Sequence, residues 1–258
     1  MKTNKKIDLV ITFFLIALGC IMTVIFNLKP LTGGIIAFLS PSIYLILREK
    51  KNLLKILWGV IIFGIIFGFI YDFVAVFNEA WVVPVYRLVI PWRLFGFLPI
   101  DDLFAFVLMA LIVIVFYEHF LDDEKDPRIS RNLVRALITP SIVVIILLVV
   151  YFVDSDLLRI PYAYFVTGIL AIIFPISVAL KKSRFLRKFS ILAAFFFVVW
   201  LMAELAGLKV DGWIFPGQYI GTVEIFDLKF PLEEVFFWML FYAATIVSYY
   251  EYYVDDAK

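Results

Sequence analysis

The residues of this chain best suited to chemistry are carboxyls set in apolar surroundings. Glu233 and Glu234 stand side by side after Pro231 and ahead of Phe236, Phe237, Trp238 and Phe241. Asp101 and Asp102 follow Pro99 in the same way and precede Phe104, while Asp72 and Glu204 interrupt apolar runs. Proline and acids suit the first turn of a helix, where free N–H groups and the helix dipole favour negative charge, so capping alone accounts for the paired acids. The rings that follow argue for more. Helical spacing sets them beneath the acids, and a carboxylate against an aromatic wall is costly to keep charged. For Asp72 and Glu204, a polar contact between helices stands beside a functional role. A cluster of this kind supports general acid–base chemistry. A single cysteine, Cys20, and a single histidine, His119, provide no disulfide and no transition-metal ligand set, so no metal site is expected. No Gly-x-Gly-x-x-Gly dinucleotide fingerprint occurs, and no cofactor is expected.

The elements that position these acids are membrane helices. The chain is 64% hydrophobic and only 17% charged, more apolar surface than one aqueous core can hide, so the bilayer is its solvent. A net charge of +1 argues against nucleic acid as a partner. A spanning helix needs roughly 20 apolar residues. Eight stretches meet or approach that length: 8–28, 31–47, 54–77, 102–121, 133–153, 161–180, 185–206 and 232–253. The second is short, so the count is seven or eight. Cys20 lies in Ala17-Leu18-Gly19-Cys20, which faintly resembles a lipoprotein cleavage box, but the apolar run continues to Phe26 and reads as an uncut first helix. Gly64 and Gly68 predict close helix contact in the third. With the N-terminus inside, 17 of the 23 basic residues fall on the cytoplasmic side, which places both termini there. On this side Glu118-His119 reads as a solvated helix end.

Two halves of the chain match each other without a gap. Trp81-x-x-Pro84 recurs as Trp213-x-x-Pro216, and Pro99-Ile-Asp101-Asp102 as Pro231-Leu-Glu233-Glu234, both at an offset of 132 residues. The same offset pairs Asp72 with Glu204, Glu79 with Asp211 and Phe104 with Phe236. The expected fold is an all-α polytopic bundle of two tandem units in the same orientation, 1–121 and 133–258, joined by a cytoplasmic linker at 122–132. If the units pack about a pseudo-two-fold axis, eight carboxylates converge on one pocket.

The second unit reads Asp211-Gly-Trp-Ile-Phe-Pro-Gly-Gln-Tyr-Ile-Gly221 and then Pro231-Leu-Glu-Glu-Val-Phe-Phe237. This resembles the membrane-embedded lycopene cyclase family, known as heterodimeric pairs in some bacteria and as one fused chain in archaea and fungi. That family repeats a small helical domain with Pro-x-Glu-Glu/Asp followed by Phe-Phe. The first unit departs from the pattern: it has Asp101-Asp102 for the glutamates, Ala105 for the second phenylalanine, and no Gly-Gln-Tyr-Ile-Gly after Pro84.

The resemblance implies redox-neutral ring closure on a linear carotenoid, a long apolar polyene, in the cell membrane. An acid protonates the terminal double bond, an internal double bond captures the cation, and a base removes a ring proton. It implies Glu233 and Glu234 as the acid/base pair, Asp101, Asp102 and Glu204 as secondary acids, and Phe236, Phe237, Trp213, Phe104 and Asp72 as substrate contacts. Homo-oligomers or association with other carotenoid enzymes stay open. A non-catalytic carotenoid-binding subunit, an intramembrane prenyltransferase and a transporter also fit acids in a duplicated bundle. A transporter needs a polar path through the membrane, and a prenyltransferase needs bases and a divalent cation for diphosphate.

Overall fold

The computed structural model describes residues 4–48, 52–122, 128–181 and 183–255. Apolar runs become eight helical rods: α1 Lys5–Ile25, α2 Pro30–Arg48, α3 Leu53–Phe77, α4 Ile100–Phe120, α5 Leu133–Val153, α6 Ala163–Lys181, α7 Ser183–Lys209 and α8 over 234–253. Turns widen to π geometry over Ile35–Leu39 in α2, Val60–Phe67 in α3 and Glu234–Phe241 in α8. Among the described residues, six helices are long and apolar enough to cross a membrane, namely α1 to α5 and Phe185–Lys209 of α7. The second of these, taken from sequence as short, has 19 residues. The apolar stretch of α6, Ala163–Ser177, is shorter, and α8 ends in a run of tyrosines with Glu251. The chain is a helical membrane bundle. Only 11% of the most apolar stretch of α5 is buried, and its exposed Val and Ile side chains make sense only against lipid.

At the centre is α4. Ile112 to Tyr117 are fully or almost fully buried on every side, as expected of a helix that is apolar all round. It runs along α3, and the two glycines expected to allow close contact do so. A Cβ on Gly64 would stand 2.9 Å from the Val107 Cα, and one on Gly68 would stand 2.9 Å from the Phe106 Cβ. Across the bundle α4 meets α8, α1 packs on α7, and α3 packs on α5.

Both α3 and α7 end in the same turn. The Ala80 N–H donates to the Ala75 carbonyl and the Gly212 N–H to that of Gly207, each at 2.8 Å. Glu79 and Asp211 occupy the left-handed position, at φ 58° and 52°. This is a Schellman close, and it fixes where each following loop begins.

Neither loop stays irregular. Strands β1 (Arg93–Leu94) and β2 (Leu98–Pro99) form one short hairpin, and β3 (Thr222–Ile225) and β4 (Leu228–Pro231) form another. The second turns at Phe226 and Asp227, both at positive φ, the geometry whose twist suits a two-residue hairpin. Each hairpin delivers the chain directly into an acid-bearing helix, α4 or α8.

At the opposite end of the bundle Glu118-His119 is not solvated. His119 is buried against Asp8, at 3.1 Å, and Asp8 also accepts from the Tyr44 hydroxyl and Arg48 Nε. Glu118 accepts from Asn52 and Tyr250, Lys55 pairs with Asp255, and Lys188 pairs with Glu251 at 3.4 Å. Buried charges at that end are paired, as burial requires. The linker expected at 122–132 falls partly outside the described residues; Ile129 and Ser130, which are described, pair with Asp255 and Val254.

Candidate active site

Two loops, 78–99 and 210–231, fold over the end of the bundle and against each other. Val82 and Ile214 exchange both backbone hydrogen bonds, at 2.9 and 3.0 Å. The Tyr219 hydroxyl accepts from the Gly217 N–H at 2.7 Å and donates to the Ala80 carbonyl at 3.0 Å, which ties the second loop to the first. Burial pushes the Tyr219 phenol up to about 12, so it remains a neutral donor across the physiological range. A Cβ on Gly217 would lie 2.8 Å from the Glu79 carbonyl oxygen, so only glycine allows this approach of the loops. The Gly-Gln-Tyr-Ile-Gly stretch of the second loop is therefore a strap across the bundle end.

The adjacent acids divide their work. Successive residues on a helix point about 100° apart, so neighbours cannot face one cavity equally. The first of each pair turns back to its loop. Asp101 accepts from the Val89 and Ile90 N–H groups, at 2.6 and 2.9 Å, and Glu233 accepts from the Ile220 N–H at 2.8 Å. The second of each pair, Asp102 or Glu234, faces inward.

Beneath the loops lies a cavity whose lining includes Asp101, Asp102, Glu204 and Glu234. Trp81 Nε1 donates to Asp102 at 3.3 Å, and Trp213 Nε1 donates to Glu204 at 3.0 Å. Gly207 makes room for that indole, since a Cβ there would stand 2.0 Å from the Trp213 ring. The Tyr164 phenol lines the same cavity as Glu234, and Glu204 and Glu234 are within electrostatic reach of each other. Four of the chain's six tryptophans, Trp81, Trp200, Trp213 and Trp238, line the cavity with Phe38, Phe106 and Phe215. Arg87 is the one basic residue in the lining; it reaches out to Asn27 at 2.9 Å. Carboxyls over aromatic faces can move a proton and shelter a carbocation without trapping it.

The residues expected at the site therefore separate. Asp101, Asp102, Glu204, Glu234 and Trp213 line the cavity. Glu233 is fully buried behind it, with one oxygen on the loop backbone and the other unpartnered. Asp72 is fully buried as well, both oxygens unpartnered and within electrostatic reach of Asp102. Phe104 and Phe236 face outward, 50% and 43% exposed, while Phe237 turns into a neighbouring chamber. Glu79 and Asp211 close α3 and α7 in exposed positions, so four of the eight expected carboxylates line the cavity rather than all eight. Tyr164, Trp200 and Phe106 were not expected at the site. The recurrence of Trp81 at Trp213 was the available signal for the indole donors. Among the described residues, the acids whose oxygens converge within 4.8 Å are Glu118, Asp122 and Asp255, at the other end of α4.

No protein-family model, curated protein or solved structure matches the chain. The reading of the site rests on its geometry and on the sequence.

Asp101 and Asp211 give contrasting tests of this arrangement. Asp101→Ala leaves two loop N–H groups without their acceptor and should cost about 1–3 kcal/mol, with faster proteolysis within 85–97. Asp211→Asn should lie within about 0.5 kcal/mol of wild type, because asparagine suits the left-handed position and the site is exposed. Thermal unfolding in detergent with limited proteolysis checks both; equal effects would contradict the loop-anchor role.

Proposed function

We propose that the chain is a carotenoid cyclase of the membrane-embedded lycopene cyclase type, which closes an end ring on a linear polyene by carboxyl acid–base catalysis. The observation that carries this reading is the cavity itself: three inward carboxyls, each with an aromatic N–H or O–H neighbour, under a roof of indoles at the end of an apolar bundle. One carboxyl O–H gives its proton to the terminal C=C bond. The internal double bond attacks the resulting cation, forming the ring C–C bond. A carboxylate takes a proton from the adjacent ring carbon, restoring a double bond. Atoms and electrons balance without an oxidant, and product and substrate are isomers.

Glu234 and Glu204 are assigned the proton transfers, with Asp102 as a further acid. Glu233 and Asp101 position the loops, and Trp200 and Trp238 shelter the cation. A prenyltransferase would need cations for a diphosphate, and Arg87 alone is a poor fit. A transporter would need a polar route between the two bundle ends, whereas Asp8, Asp255 and Glu251 at the far end are paired with Arg48, Lys55 and Lys188.

We also read the chain as two tandem units related by a pseudo-two-fold axis. Its support is the paired Schellman turns at Glu79 and Asp211, the Val82–Ile214 bridge and the exchange of α1 on α7 for α5 on α3. In this reading both termini are cytoplasmic. The charge asymmetry favours this, although six of the residues that carry it, Lys2, Lys50, Lys51, Lys125, Lys182 and Lys258, lie outside the described residues.

In a lycopene-accumulating host, Glu234→Gln should lower ring product about 10²–10⁴-fold, the usual cost of losing a positioned acid or base. Glu233→Gln should lower it less and mainly through protein level. Pigment chromatography normalised to membrane protein decides, and full activity of Glu234→Gln would exclude this site. The orientation is tested with cysteines at Phe226, on the exposed hairpin tip, and at Arg131, also exposed. An impermeant reagent should label Phe226→Cys in intact cells and Arg131→Cys only after lysis; the reverse pattern would invert the topology.

A further inference from the structure

A second chamber adjoins the acid cavity, and Phe106 and Trp238 line both. Their rings meet edge to face, 5.9 Å between centroids, so the boundary between the chambers is a pair of aromatic edges rather than a helix. No charged residue lines the second chamber. Its walls are aromatic and aliphatic, with Phe67, Ala171, Phe237 and Tyr249 contributed by α3, α6 and α8.

Two glycines hold the rings that define it. A Cβ on Gly68 would stand 2.9 Å from the Phe106 Cβ, and one on Gly168 would stand 2.3 Å from the Phe237 ring. Any larger residue at Gly168 must displace that ring. Space left open inside a helix bundle forfeits packing contacts, and a chain that fills it recovers them. The chamber also holds two hydroxyls, of Tyr242 and Thr245, that are buried without a partner. A conjugated chain offers these donors a continuous π-face, whereas a chain of isolated double bonds offers one only at intervals.

We infer that this second chamber is the seat for the conjugated stem of a linear polyene whose end group lies among the acids, the chain passing the Phe106–Trp238 edge contact. The inference rests on the cyclase reading and extends it. The acid cavity reads the end group, and the second chamber selects a conjugated chain over a non-conjugated one with the same ends. Ala171, where a large side chain would project into the chamber, and the Tyr242 and Thr245 hydroxyls determine that selectivity.

The test uses the full chain in lipid nanodiscs, titrated with lycopene and followed by quenching of tryptophan fluorescence, with squalene as a competitor that carries the same isoprenoid ends but no conjugated stem. The wild-type protein should prefer lycopene by about tenfold or more, since a rigid conjugated chain loses less conformational freedom on seating than a flexible one. Ala171→Trp should lose about tenfold in lycopene affinity and most of the preference. Tyr242→Phe/Thr245→Val takes away both hydroxyls and should narrow the preference a few-fold, weakening lycopene binding more than squalene binding. Monodisperse elution of each variant shows that it folds. Ala171→Trp that is monodisperse and binds and cyclises lycopene as the wild type does would overturn the stem site and leave the cyclase reading intact. Wild-type protein that binds with the expected preference but forms no ring product would overturn the cyclase reading and leave the stem site. Absence of lycopene binding by the wild type would overturn both.

Discussion

Holding carboxyl groups away from water at one end of an apolar bundle is the constraint on which the rest of this structure depends. Glu204, Glu233, Glu234 and Asp72 are all at most 5% exposed. Burial of such groups is costly unless polar neighbours or protons compensate it. The two loops supply the compensation. They close over the bundle end, join at Val82 and Ile214, and bring indole donors down to Asp102 and Glu204, while Tyr164 of α6 lines the same cavity as Glu234. Their own backbone is held in turn by Asp101 and Glu233. Acids thus serve as ties for the lid and as the groups under it, and the hairpins that end at Pro99 and Pro231 set the helical phase that separates the two roles.

The two ends of the bundle treat charge differently. At the end with Asp8, Arg48, His119, Lys55 and Asp255, ion pairs tie α1 to α2 and α4 and tie α3 to Asp255, although Glu118, Asp122 and Asp255 also gather within 4.8 Å of one another. At the loop end, acids face one another, tryptophans and Tyr164, and Arg87 points its guanidinium toward Asn27. Paired charges stabilise position, and clustered acids in an apolar room are suited to exchanging protons. The halves are also unequal. Trp81 serves the acid that opens α4, whereas Trp213 serves the acid within α7, and Ala105 stands where Phe237 stands in the second half. The cavity is accordingly asymmetric, with its two indole donors serving acids of different helices.

Much of the fold was legible because membrane helices announce themselves as long apolar runs, and all eight helices lie within a few residues of their expected bounds. The hairpins were not. Two to four residues per strand carry too little alternation, and Phe226-Asp227 lacks the Asn-Gly signature of a tight turn. The acids of the site were legible as residues but not in their roles. Reading Glu233 and Glu234 as one pair ignored the helical rotation between neighbours, which sends one to the loop and the other to the cavity. Phe104 and Phe236 were misplaced for the same reason, two positions beyond the inward acid and on the outer face. Asp8 escaped notice and His119 was read as solvated because Asp8 meets Tyr44, Arg48 and His119 from two other helices, and only packing brings them together.

The most direct measurement of the central claim, proton exchange between a buried carboxyl and a polyene, is mass spectrometry of product formed in deuterated water by washed membranes containing the protein. If a carboxyl that equilibrates with solvent protonates the terminal double bond, each ring closed should carry one deuterium at the protonated ring carbon, without any added reductant. Product free of deuterium, or ring formation that depends on a nicotinamide or flavin hydride, would contradict the account.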